Sequence, residues 1–298
     1  MNGVNDITSK TQLSNRMAIK LIADGGSTKT EWCLLDGRKK KTIITQGISP
    51  YFLTTTDIQT IITGKVVPEL RACLPDEVYF YGTGCSSMAN AKLVSRALKN
   101  VFKSAHIEVT SDLLGAAKAL CGDEKGIACI LGTGSNSCYY NGKKIVKNSP
   151  GLGYVLGDEG SGAYLGKRVI QHYLYNTFDE DLMDRFLAKF NTNSGSILEA
   201  VYKGLLPNRY MASYTIFLAE NRGHYMIENI IEDGFNDFFF NHVYKYSESW
   251  TLPIHFTGSV AYGFRDVLKE ICSSNELQLG RVIGNPMEGL IKYHEASK

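Results

Sequence analysis

Short apolar runs predict a strand meander where the regular part of the chain begins. Residues 18–23 (AIKLIA) and 30–35 (TEWCLL) predict two strands, and residues 42–45 begin a third. The pair Asp36–Gly37 between the second and third strands is a strong signal for a tight hairpin turn. The domain is therefore predicted to open with three antiparallel strands.

Helical periodicity and short apolar strands alternate after this meander. The predicted elements are a helix at 57–72 that contains Pro68, a strand at 77–81, a helix at 90–102, a strand at 106–110 and a helix at 113–120. The resulting order is β-β-β-α-β-α-β-α. Because parallel strands are joined by crossover helices, this order predicts an α/β architecture.

The second half of the chain repeats the same order. Strands are predicted at 126–131, 135–140, 143–146, 253–256 and 279–283, with a helix at 259–271 and a last helix from about Pro286. Residues 160–246, mostly helical and rich in aromatics, are interpreted as an insertion into this second repeat. We expect a first lobe at 17–115, a second at 116–284, and a terminal segment, 285–298, that packs back on the first.

Residues 1–16 are polar and contain no apolar stretch of the kind found in signal peptides. We expect them to form a disordered extension.

Glycines and small hydroxyl residues are concentrated at the first predicted hairpin, 24–30 (DGGSTKT). Such a turn exposes several backbone N–H groups on one side, which suits phosphate oxygens. The candidate phosphate-binding residues are Gly25, Gly26, Ser27, Thr28 and Lys29. Asp24, at the end of the first strand, is a candidate to hold Mg²⁺ through water. Taken alone, the segment is equally compatible with an ordinary polar hairpin.

A second glycine-rich turn, 131–137 (LGTGSNS), occupies the equivalent place in the second repeat. Its candidate phosphate-binding residues are Gly132, Thr133, Gly134 and Ser135. Two such hairpins at matching positions favour a cleft in which each lobe binds one side of a triphosphate. Two unrelated tight turns are the alternative.

A third segment, 256–263 (FTGSVAYG), places Thr257, Gly258 and Ser259 between an extended run and a predicted helix. A helix N-terminus behind glycine suits an anion or the edge of a nucleoside. The alternative is that Ser259 simply caps the helix.

Together, the three segments resemble the phosphate-1, phosphate-2 and adenosine motifs of the superfamily of acetate and sugar kinases, heat-shock chaperones and actin (ASKHA). Within it, the chain resembles the BadF/BadG/BcrA/BcrD ATPase family and the N-acetylglucosamine kinases. Residues 157–161 (GDEGS) match an element of the N-acetylhexosamine kinases, and the resemblance runs from about Ile19 to His294. It implies a two-lobed ribonuclease H-like or actin-like ATPase fold, duplicated as βββαβαβα. It also implies ATP with Mg²⁺, and a small sugar as the acceptor of the phosphoryl group.

The candidate catalytic base is Asp112, at the end of a strand and the beginning of a helix. A carboxylate there can accept the proton of an attacking hydroxyl, and the resemblance places the base of N-acetylglucosamine kinases at the corresponding aspartate. An Asp at this position is also typical of a helix N-cap.

The resemblance also implies sugar contacts from Asp158, from the glycine-rich loop with Gly151 and Leu152, from Asp112, and from Ser49 after the third strand. For Asp158 and the neighbouring Glu159, the alternative is a helix cap followed by a first-turn acid. Ser49 stands where related kinases have Asn, and Leu152 where they have Trp. Both departures leave the sugar open, so the expectation is an amino sugar such as N-acetylglucosamine, phosphorylated at O6, with glucosamine or N-acetylmuramic acid as alternatives.

Composition narrows the possible partners. The net charge of +2 gives no reason to expect nucleic acid or an anionic membrane, and no apolar run reaches the ~20 residues of a membrane span. The seven cysteines form no CxxC pair, which favours reduced, buried thiols in a cytoplasmic protein. A homodimer is left open.

A rival function within the same superfamily is an activator ATPase that drives a partner enzyme and shares an iron–sulfur cluster. Those proteins carry a cluster-binding Cys in a CxxGTG-type element, and here the comparable helix start, 157–162 (GDEGSG), has none. A sugar or nucleotide sensor without activity is a second rival. The short leader before the first strand cannot contain a DNA-binding helix-turn-helix, which disfavours the repressor form of such a sensor.

Overall fold

The structure is a computed structural model that describes residues 17–26, 28–71 and 73–296. Five strands form the first sheet: β1 (Lys20–Gly25), β2 (Lys29–Asp36), β3 (Lys39–Gln46), β4 (Glu77–Gly82) and β5 (His106–Ser111). Five more form the second: β6 (Lys125–Leu131), β7 (Ser135–Asn141), β8 (Ile145–Ser149), β9 (Ile254–Thr257) and β10 (Leu279–Ile283). The strand orders are β3-β2-β1-β4-β5 and β8-β7-β6-β9-β10.

The two sheets have the same connectivity. In each, the first three strands pair antiparallel, whereas the fourth and fifth are parallel to the first. The predicted duplicated α/β fold is therefore confirmed.

The helices of the first repeat and of the chain end are α1 (Thr55–Ile61), α2 (Met88–Val101), α3 (Asp112–Cys121), α11 (Ser259–Gly263), α12 (Arg265–Ser274) and α13 (Met287–Ala296). Between the second meander and β9 lie α4 (Gly153–Leu156), α5 (Gly162–Leu174), α6 (Glu180–Phe190), α7 (Ser194–Lys203), α8 (Pro207–Ala212), α9 (Thr215–Glu220) and α10 (Tyr225–Asn241). None of the described helices is long and apolar enough to cross a membrane.

Two predicted helices differ from the observed ones. The helix expected at 57–72 is α only to Ile61, continues as a π turn (Ile62–Val66) and ends in a 3₁₀ turn (Val67–Leu70). Pro68, which has no N–H group, lies in that last turn and cannot continue the α-helical hydrogen bonding. The helix expected at 259–271 is divided at Phe264 into α11 and α12.

Helix α3 is the element that joins the two repeats. It packs on β1, β4 and β5 of the first sheet and on β6, β7 and β9 of the second. Helix α13 packs on α3, β1 and β2, where Met287, Leu290 and Ile291 join a buried cluster with Ile22 and Leu35. The residue that begins α3 therefore lies where the two sheets meet.

Candidate active site

The first glycine-rich turn joins β1 to β2 as a tight hairpin. The N–H of Gly26 donates to the carbonyl of Lys29 (3.0 Å). A Cβ on Gly25 would lie 2.6 Å from Cζ of Phe80, so a side chain there would collide with the core. Thr28 Oγ1 is buried and has no partner among the described residues, which do not include Ser27.

Asp24 is half-buried at the end of β1, beside this turn. Burial, followed by the charges of Asp112 and Glu31, raises the pKa of its carboxyl from 3.8 to about 7, while Lys29 acts in the opposite direction. Ionised Asp24 is therefore poorly compensated by its surroundings, which is the electrostatic environment that a divalent cation would improve.

Asp112 is the first residue of α3, and the helix is capped by its neighbour. The Oγ atom of Ser111 accepts the N–H of Leu114 (3.3 Å), so Ser111 and not Asp112 is the N-cap. The carboxylate of Asp112 accepts the N–H of Leu113 (2.8 Å) and the hydroxyl of Thr83. Burial raises its pKa above the usual range, and these hydrogen bonds lower it in part. Asp112 is thus a carboxylate held in a fixed orientation at the meeting point of the two sheets.

Thr83 was not anticipated from the sequence. Its N–H donates to the carbonyl of Gly25 (2.8 Å), which ties the end of β4 to the first glycine-rich turn. A signal was available, since residues 82–84 read Gly-Thr-Gly, the same tripeptide as 132–134 in the second turn.

The second glycine-rich turn, between β6 and β7, is anchored to the beginning of α5. The carbonyl of Gly132 accepts the N–H of Gly162 (2.8 Å), and that of Thr133 accepts the N–H of Ala163 (3.0 Å). A Cβ on Gly132 would have no described atom within 4 Å, so the turn borders open space there. Ser135 Oγ is buried without a partner in the described structure.

The third segment lies against the second. Gly258 has φ +122°, and a Cβ there would overlap the carbonyl of Leu131, so this position requires glycine. The N–H of Gly258 donates to the carbonyl of Ile283 (3.0 Å). Ser259 is inside α11, whose N-cap is Gly258, and therefore does not cap the helix. Thr257 Oγ1 is a further buried hydroxyl with no described partner.

Asp158 lies beside the second turn. Its Oδ1 atom accepts the N–H of Ser135 (3.4 Å), and a Cβ on Gly134 would lie 2.9 Å from its Oδ2 atom. Burial is the main cause that raises the pKa of this carboxyl; the N–H of Ser135 lowers it and the charge of Glu159 raises it. Asp158 also has φ +58°, a conformation that costs an L-residue energy and that is concentrated at functional sites.

The remaining predicted sugar contacts differ in exposure. Ser49 is buried, and its carbonyl accepts the N–H groups of Phe52 (3.1 Å) and Leu53 (3.0 Å). A Cβ on Gly151 would lie 2.6 Å from the carbonyl oxygen of Ser135, so the loop passes close to the second turn. Leu152 is 58% exposed, so its side chain is available to a ligand.

The chemistry of these residues fits a nucleotide and a metal held jointly with it. The described residues contain five buried side-chain atoms without a hydrogen-bond partner, and three of them belong to the three glycine-rich segments: Thr28, Ser135 and Thr257. A buried hydroxyl without a partner is costly unless a ligand supplies one. No cluster of three or more His, Cys, Asp or Glu side chains in the described structure could hold a metal alone. Mg²⁺ would fit Asp24 in the way it usually binds, with waters and substrate phosphates as its other ligands.

Comparison with solved structures assigns the chain to a family. A candidate N-acetylglucosamine kinase from Porphyromonas gingivalis is 42% identical, with a TM-score of 0.89, over 93% of this chain and 99% of that one. A second, from Chromobacterium violaceum, is 18% identical with a TM-score of 0.73, over 93% and 99%, and shows the fold alone. No protein-family model matches the chain, and no curated protein matches it either. The chain belongs to the family of N-acetylglucosamine kinase-like ATP-dependent phosphotransferases of the ASKHA fold.

Proposed function

We propose that this protein transfers the terminal phosphoryl group of ATP to O6 of an amino sugar, with N-acetylglucosamine as the first candidate. The observation that carries the proposal is the set of three buried hydroxyls, one in each glycine-rich segment, that have no partner among the described residues. The relative from P. gingivalis, described as a candidate N-acetylglucosamine kinase, supports the choice of sugar.

The nucleotide would lie along the three segments. The turns at 24–29 and 132–135 would surround the phosphates, where Gly132 borders open space. Thr257, Gly258 and Ser259 would border the nucleoside. Phosphoryl transfer requires little covalent chemistry from a protein, so positioning and charge neutralisation by these segments would supply most of the catalysis.

The sugar would lie between Asp112 and the loop that contains Gly151, Leu152 and Asp158, with Ser49 at its first-lobe side. Asp112 would accept the proton of the attacking hydroxyl. Its raised pKa, caused mainly by burial, makes it a stronger base than an exposed aspartate. Asp158 would accept hydrogen bonds from sugar hydroxyls.

Asp24 would hold Mg²⁺ through water, and the ion would neutralise charge that develops on the phosphates during transfer. The cation would also offset the burial and the neighbouring carboxylates that raise the pKa of Asp24.

An assay of ADP release with Mg²⁺ and ATP tests this proposal. The acceptor panel consists of N-acetylglucosamine, glucosamine, N-acetylmannosamine, N-acetylmuramic acid and glucose, with a blank that contains no sugar. We expect one amino sugar to raise ADP release well above the blank. A strong preference for glucosamine or N-acetylmuramic acid would keep the reaction and change the sugar. Equal ADP release with and without every sugar would contradict the proposal and favour an ATPase that acts on a protein partner.

A further inference from the structure

The loop assigned to the sugar is rich in glycine and contains only one short helix, α4. It runs from residue 150 to residue 159, between β8 and α5, and four of its ten residues carry special backbone freedom or geometry: Gly151, Gly153, Gly157 and Asp158. Gly153 (φ +77°) and Asp158 (φ +58°) both adopt left-handed conformations. A glycine-rich loop of this kind samples many conformations unless its ends are fixed. The N–H of Ser135 contacts the carboxylate of Asp158 directly (3.4 Å), and the path of the rest of the loop depends on what holds its ends.

The first end of the loop is fixed by two hydrogen bonds to one segment. Ser149, the last residue of β8, donates its N–H to the hydroxyl oxygen of Tyr246 (2.6 Å). Its side chain donates to the carbonyl of Asn241 (2.9 Å). Asn241 ends α10 and Tyr246 follows a short 3₁₀ turn, so both partners come from the end of the long helical stretch.

The second end of the loop is held by the same segment. Glu159 follows Asp158 directly, and its Oε2 atom lies 3.4 Å from Nε2 of His242. His242 is buried, and its ring stacks on Phe238 with 4.8 Å between the ring centroids. The segment formed by Asn241, His242 and Tyr246, called here the loop clamp, thus contacts the chain at both ends of the loop.

A buried serine connects the two halves of the clamp. Ser137 Oγ lies 2.8 Å from the hydroxyl of Tyr246 and 3.4 Å from Nδ1 of His242. One assignment of protons satisfies every group: Ser149 N–H to Tyr246, Tyr246 O–H to Ser137, and Ser137 O–H to Nδ1 of His242. The Nε2–H of His242 then donates to Glu159. Each hydroxyl in this chain both donates and accepts, so the loss of any member weakens its neighbours.

We propose that Tyr246 and His242 are positioning residues that set the sugar affinity of the enzyme through the loop clamp, without touching the sugar. This inference rests on the proposed function, because it assumes that Asp158 binds the acceptor. The clamp contacts the ends of the sugar loop and, in the second glycine-rich segment, the hydroxyl of Ser137, two residues beyond the last residue assigned to phosphate. None of its described hydrogen bonds reaches Thr28, Thr257 or the first glycine-rich turn. Its loss should therefore weaken sugar binding more than nucleotide binding.

The test compares Tyr246→Phe with a matched control, Tyr244→Phe. Tyr246→Phe removes the hydroxyl that joins Ser137 to Ser149. Tyr244, whose ring stacks on Trp250, lies outside this chain of hydrogen bonds, so its hydroxyl can be removed without affecting the clamp. We expect Tyr246→Phe to raise the KM for the sugar about tenfold, because the variant loses the two hydrogen bonds of this hydroxyl and a tenfold change is about the net contribution of one. The KM for ATP should stay within about twofold in both variants.

Hydrogen exchange of residues 150–159 provides a readout that does not depend on activity. We expect faster exchange in Tyr246→Phe than in the wild type, and no change in Tyr244→Phe. Unchanged exchange in Tyr246→Phe would show that the clamp does not hold the loop. Faster exchange with an unchanged sugar KM would contradict the role of the clamp in sugar binding. So would faster exchange with an equal rise in the KM for ATP. If the wild type phosphorylates no sugar, the proposed function fails, and the exchange measurement still decides whether the clamp holds the loop.

A second pair of variants covers the case in which Tyr246→Phe folds poorly. His242→Leu removes both hydrogen bonds of the imidazole, whereas His242→Gln retains a donor that can reach Glu159. We expect His242→Gln to restore part of the sugar affinity that His242→Leu loses. Equal sugar KM values for these two variants would contradict a role for the Glu159 contact.

Discussion

Replacing Asp24 by asparagine is expected to stabilise the protein in the absence of nucleotide while it abolishes activity. Burial and the charges of Asp112 and Glu31 raise the pKa of Asp24 from 3.8 to about 7. A carboxyl with a higher pKa in the folded protein than in the unfolded chain binds its proton more tightly in the folded state. The free energy of unfolding therefore falls as the pH rises between these two values.

The size of this effect follows from the same two pKa values. At about 1.4 kcal/mol for each pKa unit, the rise from 3.8 to about 7 corresponds to a loss of about 4 kcal/mol once the pH exceeds the higher value. This figure is an upper limit, because Asp24 is half-buried and water relieves part of the cost. Asparagine has a similar shape and no charge, so the variant avoids the loss.

Urea unfolding from about pH 5 to pH 8.5 measures the difference in the free energy of unfolding between Asp24→Asn and the wild type. We expect the stability advantage of Asp24→Asn over the wild type to grow with pH. The control is Asp36→Asn, in the hairpin turn at the far end of β2, where Asn-Gly suits the turn as well as Asp-Gly does. The free energy of unfolding of this control should change with pH as that of the wild type does. A difference in the free energy of unfolding between Asp24→Asn and the wild type that stays constant across this pH range would refute the reasoning. Added Mg²⁺ and ATP should stabilise the wild type more than the variant, because the variant lacks the carboxylate that we assign to the metal.

Four further substitutions separate folding from function. Asp112→Asn should lower the sugar-dependent kcat about 10²- to 10⁴-fold and leave the Kd of ATP, measured by calorimetry, within about threefold; a kcat within tenfold of the wild type would exclude Asp112 as the base. Gly132→Ala should change the free energy of unfolding by less than about 1 kcal/mol, since its Cβ meets open space, yet raise the KM for ATP at least about tenfold; an unchanged KM would show that no phosphate approaches this turn. Ser135→Ala should raise the thermal midpoint of the nucleotide-free protein, because a buried hydroxyl without a described partner is removed, and should weaken ATP binding; a lower midpoint would indicate a structural role instead. Gly258→Ala should destabilise the fold by about 2 kcal/mol or more, as seen in urea unfolding, whereas Gly263→Ala, with no described atom within 4 Å of its Cβ, should not; equal effects of the two would contradict the close packing at Gly258.

The sheet architecture could be predicted from the sequence because its signals are local. Short apolar runs at 18–23 and 30–35, with a tight turn at Asp36–Gly37, are sufficient to predict a meander. Each glycine-rich turn then marks the same place in each repeat. Where the prediction failed, tertiary packing or one residue decided the outcome, as for the helix that changes from α to π to 3₁₀ before Leu70.

For the candidate site, the sequence predicted the short motifs but not the contacts between distant parts of the chain. Motif positions identified the three glycine-rich segments and Asp112 as candidates. That their buried hydroxyls have no partner in the described part of the chain can be recognised only in three dimensions. The loop clamp could not be predicted from the sequence pattern, because Ser137 and His242 are 105 positions apart in the chain and are joined by one hydrogen bond. Such contacts depend on how the end of the helical stretch packs against the second sheet. That packing cannot be predicted from any short segment of the sequence.

Identification of the product tests the central claim most directly. The protein is incubated with Mg²⁺, ATP and N-acetylglucosamine, and the mixture is examined by phosphorus–proton correlation NMR and mass spectrometry. The account predicts one new sugar monophosphate, with its phosphorus coupled to the protons on carbon 6, formed in equal amount to ADP. ADP that appears without any sugar phosphate, from this or the other amino sugars, would contradict it.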